Sequence, residues 1–139
     1  MLERDVIQVR GFHNISTGGK VTGFQVCVRN TYYRGAWLSM YRMGTLKVDG
    51  EVMEDVTFSF DGGKTYSTRE QMLNVGDRQW YTQTPCIIQV AKDGGLAHGY
   101  HDIEFDYRYI MSYIPPIVNS DEAFARIPPK VYKKTLIIV

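Results

Sequence analysis

Cysteine and proline are scarce in this chain of 139 residues, which holds two of the former and five of the latter. Two cysteines cannot build the disulfide framework of a small secreted module. Cys27 and Cys86 each stand inside an apolar, strand-like run, Gln25-Val-Cys-Val28 and Cys86-Ile-Ile88, and both read as small core residues. An excess of one charge is lacking too: sixteen Lys plus Arg against fifteen Asp plus Glu leave +1. That balance excludes the basic footprint of a nucleic-acid binder. No apolar run approaches the ~18 residues of a membrane span, and Thr135-Leu-Ile-Ile-Val139 is far too short to cross; it reads as a closing strand buried on both faces. The opening Met1-Leu-Glu-Arg-Asp-Val carries charges where an export leader needs its apolar stretch, so the expected location is cytoplasmic. Also missing are a Gly-x-Ser-x-Gly elbow, a phosphate loop and a His-Glu-x-x-His pair.

What is present is aromatic: ten Tyr, six Phe and two Trp make up 13% of the chain. With 44% hydrophobic and 22% charged residues the sequence is that of a folded chain, and its length suits a single domain over residues 1–139. Turn signals recur at short intervals: Ser16-Thr-Gly-Gly19, Val48-Asp-Gly50, Asp61-Gly-Gly63, Asn74-Val-Gly-Asp77 and Asp93-Gly-Gly95. Between them lie runs with the period of two that strands require. In residues 102–113, Ile103, Phe105, Tyr107, Tyr109, Met111 and Tyr113 alternate with Asp102, Glu104, Asp106 and Arg108. One face is built for a core and the other for water. Helical periodicity is absent; a short helical turn is expected near 120–126, after Asn119 and between two Pro-Pro pairs, within a long connection over 114–130. These features predict an all-β fold, an antiparallel β-sandwich of jelly-roll or immunoglobulin-like form closed by a last strand over 131–139.

Candidate chemistry is thin. His98-Gly-Tyr-His101 is followed by acidic residues, but on an extended strand the two histidines point to opposite faces, and only a turn there could gather a metal site. His13 has no neighbouring ligand and reads as a hydrogen-bonding, partly buried histidine. Ser59-Phe-Asp-Gly-Gly-Lys-Thr-Tyr66 matches the Asp-box pattern of sialidases and related propellers. A propeller needs about four or more blades, which this length cannot supply, so the segment is expected to be a rigid hairpin and nothing more.

The segment Tyr32-Tyr-Arg-Gly-Ala-Trp-Leu-Ser-Met-Tyr-Arg-Met43 is more informative. Read as one strand, it places Tyr33, Trp37, Tyr41 and Met43 on one face and Tyr32, Ala36, Leu38 and Met40 on the other. Both faces are apolar, so the strand lies either wholly inside the sandwich or against another molecule. Tyr, Trp and Arg are the types that anchor interfaces. Tyr32, Tyr33, Arg34, Trp37 and Tyr41 are therefore the first candidate anchors of a partner interface, with Trp80 and Tyr81 second. The competing reading makes them core.

Over nearly its whole length the sequence resembles the β subunit of bacterial C-glycoside deglycosidases. The likeness is carried by Met1-Leu-Glu-Arg-Asp-Val-Ile-Gln-Val-Arg-Gly-Phe12, Gly23-Phe-Gln-Val-Cys-Val-Arg-Asn-Thr-Tyr-Tyr-Arg-Gly35, Val56-Thr-Phe-Ser-Phe-Asp-Gly-Gly63 and the Pro-Pro region at Tyr113–Pro116. The resemblance implies a non-catalytic β-sandwich that associates with a larger α subunit of (β/α)-barrel fold in a hetero-oligomer. Such a complex is a carbon–carbon lyase acting on an aromatic, flavonoid-type aglycone joined to a 3-keto-glucosyl group. A base takes the C2 proton made acidic by the carbonyl, the bond from C1 to the aglycone carbon breaks, and that carbon takes up a proton. The resemblance assigns the base and a divalent metal, Mn²⁺, to the α subunit, and no cofactor, metal ligand or catalytic residue to this chain. Two other classes remain: a stand-alone carbohydrate- or flavonoid-binding module, and a small cupin-like enzyme using His98 and His101 on a metal.

Overall fold

The computed structural model describes residues 2–31, 36–73, 78–109 and 130–139. Strands β1 (His13–Thr17) and β2 (Lys20–Val28) form a hairpin whose two-residue turn is Gly18-Gly19, both at positive φ, as the turn that follows the natural twist of paired strands demands. A second hairpin joins β4 (Tyr41–Val48) to β5 (Glu51–Val52) through Asp49-Gly50, also both left-handed. The other strands are β3 (Ala36–Trp37), β6 (Val56–Ser59), β7 (Gln79–Trp80), β8 (Cys86–Ala91), β9 (Gly99–Tyr109) and β10 (Lys130–Ile138).

One four-stranded sheet has the order β1-β2-β8-β6, a second has β10-β9-β4-β5, and β3 with β7 makes a separate two-stranded ribbon. All pairings are antiparallel. Phe24, Val26, Val28, Val56, Phe58, Ile88 and Val90 from the first sheet share one core with Leu46, Val48, Ile103, Phe105 and Tyr107 from the second. The fold is an all-β sandwich, as the alternating runs predicted. In β9, Ile103, Phe105 and Tyr107 are buried while Asp102, Glu104, Asp106 and Arg108 are not, as their period of two requires.

Three expectations need correction. Residues 36–43 are not one strand: after β3 the chain turns through a 3-10 helix, Leu38–Met40, before β4 begins. That turn abolishes the parity, so Leu38, Met40, Tyr41 and Met43 are all buried although they came from opposite faces of the presumed strand. The C-terminal strand β10 is buried on one side only. Leu136 and Ile138 enter the core, but Ile137 is 44% exposed and Val139 is exposed, because only the inner face of this sheet packs on the sandwich core. Finally, a four-residue helix, α1 (Arg69–Met72), was not anticipated. Thr68 accepts from the Gln71 amide while the Gln71 side chain accepts from the Thr68 amide, a reciprocal cap that stabilises even one turn. The helical turn expected near 120–126 lies outside the described residues.

β4 also carries a bulge. Met43 pairs with Tyr107 and Leu46 with Phe105, leaving Gly44 and Thr45 to oppose Asp106 alone. The Asp106 carboxylate accepts from the Thr45 amide at 2.9 Å, and Arg69 of α1 donates to the Met43 and Gly44 carbonyls. Glycine is required at position 44, where a Cβ would collide with the Asp106 carboxylate and carbonyl.

Candidate partner-docking site

Trp80 organises one end of the sandwich. It is fully buried, with ring centroids 5.1 Å from Tyr41, 5.2 Å from Phe60 and 5.4 Å from Tyr107, and its indole N–H donates to the Thr84 carbonyl at 2.8 Å. The Asn30 amide donates to the Tyr41 hydroxyl (2.7 Å) and to the Trp80 carbonyl (3.1 Å), so the buried polar atoms of this cluster are satisfied. The Tyr107 hydroxyl accepts from the Thr31 amide and shares a hydrogen bond with the Thr31 hydroxyl, both at 2.8 Å, and burial pushes its pKa up to about 12. Tyr41, at 1% exposure, and Trp80, at 0%, are therefore core residues rather than interface anchors. Both rings are consumed by packing within the chain.

The ribbon turns its other face outward. Ala36 pairs with Trp80 and Trp37 with Gln79, so Trp37 and Gln79 share the side opposite Trp80. Trp37 is 42% exposed and Tyr81, just past β7, is 60% exposed. Tyr32, Tyr33 and Arg34 lie outside the described residues.

Beside the ribbon stands the Asp-box hairpin, which is the rigid turn its pattern predicted. Asp61 accepts from the Ser59 hydroxyl (2.9 Å), the Lys64 and Thr65 amides (3.0 Å each) and the Thr65 hydroxyl, and the Gly63 amide donates to Ser59 Oγ. Burial alone would raise the Asp61 pKa, but these donors outweigh it and hold the carboxyl at about 2. Between hairpin and ribbon opens a cleft of ≈ 520 Å³, with Leu38 and Phe60 at its base and Thr65, Arg78, Gln79 and Tyr81 along its walls. A larger open groove of ≈ 770 Å³ crosses the outer face of the first sheet, but no aromatic ring lines it among the described residues.

The titratable candidates are held in structural roles. His101 is in β9, not in a turn; its Nδ1 lies 2.6 Å from Asp49 Oδ2 and its Nε2 lies 2.7 Å from the Ala97 carbonyl. Neither partner can donate, so both ring nitrogens must, and neither is left to bind a metal. His98 and His13 are both exposed, and His13 Nδ1 donates to the Asn14 carbonyl instead of sitting partly buried as expected. Cys27 pairs with Ile87 while Cys86 pairs with Val28, so the thiols point to opposite faces of the first sheet. Burial raises the Cys27 pKa to about 11 and that of Cys86 well above the ordinary value, keeping both as inert thiols. Among the described residues, no group of three His, Cys, Asp or Glu side chains converges as metal ligands would, and no helix is long and apolar enough to cross a membrane.

Sequence reasoning missed Arg69 as the clamp on the β4 bulge. The signal was the Thr68-x-x-Gln71 spacing, overlooked because one helical turn leaves no periodicity.

Fold and rim together define a β-sandwich whose two-stranded ribbon gives Trp80 to the core and turns Trp37 outward beside Tyr81. A model of the C-glycoside deglycosidase beta subunit family matches residues 2–113. The C-glycoside deglycosidase beta subunit of Eubacterium cellulosolvens is 42% identical over 121 residues, covering 85% of this chain and 81% of that protein. The chain belongs to the C-glycoside deglycosidase beta subunit family.

Proposed function

We propose that this chain is the non-catalytic β subunit of a C-glycoside deglycosidase, docked through its ribbon rim onto an α subunit of (β/α)-barrel fold in a cytoplasmic hetero-oligomer. The observation that carries this reading is family membership over residues 2–113 combined with Trp37 and Tyr81 standing outside a core that already uses Trp80 and Tyr41. Exposed aromatics beside a cationic Arg78 are the composition of an interface centre.

The reaction proposed for the complex is elimination from a 3-keto C-glucoside with an aromatic, flavonoid-type aglycone. A base and a divalent metal, with Mn²⁺ expected, are assigned to the α subunit. The engaged state of His101 and the burial of both thiols support that division. The contribution of this chain is to hold the barrel assembled and to border the aglycone's entry.

The ≈ 520 Å³ cleft favours a second reading, a stand-alone module binding a flat aromatic ligand between Phe60 and Tyr81.

Co-expression with the α subunit and assay on a 3-keto C-glucoside test the proposal. Activity is expected only from the pair, and Trp37→Ala should abolish co-purification while the free variant stays folded. Turnover by the isolated chain would overturn it. Flavonoid binding by the isolated chain, with no complex formed, would favour the second reading.

A further inference from the structure

The two four-stranded sheets end in β1, β6, β10 and β5, and three of these edges are blunted. β1 is five residues long with a bulge between Ile15 and Ser16, and β5 has two residues. β6 is covered by Ser67, which exchanges backbone hydrogen bonds with Phe58 at 2.9 and 2.8 Å. Short length, a bulge or a cover keeps an edge strand from pairing again. Among the described residues β10 has none of these. It pairs with β9 through nine residues in unbroken register, and no backbone hydrogen bond from the described residues reaches its free side.

Lysine on an edge ordinarily repels a second strand, and β10 carries three. All three are engaged within their own chain. Lys133 Nζ lies 3.2 Å from Glu104, Lys134 Nζ lies 2.7 Å from Asp5, and Lys130 Nζ stands 5.6 Å from the centre of the Tyr132 ring. The outer face of the strand also carries two exposed apolar side chains, Val131 at 52% and Ile137 at 44%. They are placed symmetrically, three residues to either side of Lys134.

That spacing is self-complementary. Two β10 strands laid antiparallel, with Lys134 opposite its own copy, put Val131 opposite Ile137 and Lys133 opposite Thr135 on the outer face. On the inner face Tyr132 falls opposite Leu136. A two-fold axis gives each of these contacts twice. Apolar side chains meet apolar ones, and where Lys134 meets Lys134 each copy's Asp5 supplies a counter-charge. We propose that β10 pairs with the β10 of a second copy of this chain, joining two four-stranded sheets into one of eight. The free amides and carbonyls supply the ladder, and the residues directly opposite one another supply the register. This goes beyond the β-subunit reading and does not rest on it.

A strand pair buries less than the ~1,200 Å² of a standard interface, so the dimer is expected to be weak. Sedimentation velocity of the full chain from about 5 to about 500 µM should show the mass rising from one chain toward two, and no further. Val131→Lys with Ile137→Lys sets like charges opposite each other twice and is expected to raise the half-dimer concentration at least about tenfold. Val131→Glu with Ile137→Lys sets opposite charges there and should bring it back to within about threefold of wild type. Both positions are exposed, so both variants should melt with the wild type at the lowest concentration. A merely structural role for the two residues would not distinguish the double lysine from the charge-swapped variant. A wild-type chain that stays monomeric throughout, as it would if β10 took a strand of another polypeptide, overturns the inference. So does growth beyond two chains, or a folded charge-swapped variant that fails to restore the dimer. The α subunit takes no part in this experiment, so none of these outcomes touches the β-subunit reading.

Discussion

His101 of β9 reaches across to Asp49 at the left-handed turn between β4 and β5, with Nδ1 2.6 Å from Oδ2, while Asp49 Oδ1 accepts from the Asp102 amide at 2.8 Å. One carboxylate thus fastens a hairpin tip to the neighbouring strand. Burial alone would lower the His101 pKa, but the acceptors at Ala97 and Asp49 outweigh it and raise it. The His101 hydrogen bond, followed by the Asp102 amide, lowers that of Asp49.

The signs fix a stability window. Stabilisation from His101 is complete below its unfolded pKa and is lost as pH rises through the raised folded value. Stabilisation from Asp49 is present above its unfolded pKa and is lost as pH falls through the depressed folded value. Urea denaturation across pH should show stability highest between those limits. Asp49→Asn, which keeps the turn preference, should cost about 1 kcal/mol inside the window and flatten the decline on its alkaline side. A variant with the wild-type pH profile would show the contact to be idle.

Asp61 gives a second acid-side transition. Its pKa of about 2 lies below the ordinary carboxylate value, so its stabilising effect is present above the unfolded pKa and disappears as pH falls toward 2. Asp61→Ala strands the Lys64 and Thr65 amides and should destabilise the chain by about 2 kcal/mol, less its partial solvent exposure. Thermal unfolding at neutral pH measures this.

Trp80 and Trp37 should part company under substitution. Trp80→Ala empties the centre of the aromatic cluster and is expected to cost about 3–5 kcal/mol, enough to unfold a marginal chain. Trp37→Ala should cost less than about 0.5 kcal/mol in the isolated chain. Equal losses in chemical denaturation would return Trp37 to a packing role.

Gly44→Ala should destabilise by at least about 2 kcal/mol, because the new methyl meets the Asp106 carboxylate and backbone. Hydrogen exchange should locate the damage in β4 and β9. Uniform protection like the wild type would mean that the bulge relaxes without loss.

Much of the sandwich was legible in the sequence, for local reasons. Gly18-Gly19 and Asp49-Gly50 are pairs that accept left-handed backbone at little cost and so favour tight hairpin turns, and the alternation of β9 assigns each side chain its face. What escaped was every break in period. A 3-10 turn at Leu38–Met40 lets both parities be buried, so an apolar stretch on its own could not separate Tyr41 from Trp37. The one-sided burial of β10 cannot be read from Leu136–Val139, because whether a second layer covers a sheet's outer face is a property of the whole topology. The Asp-box was legible as a hairpin, whereas the cleft beside it depends on β7, a two-residue strand with no signature of its own.

The ribbon pairing has an optical consequence. The chain's two indoles come from neighbouring rows of one ladder yet live in opposite solvents. Acrylamide in the buffer should extinguish the emission of Trp37 and spare that of Trp80, so the unlabelled polypeptide carries both a gauge of its fold and a gauge of whatever covers its rim.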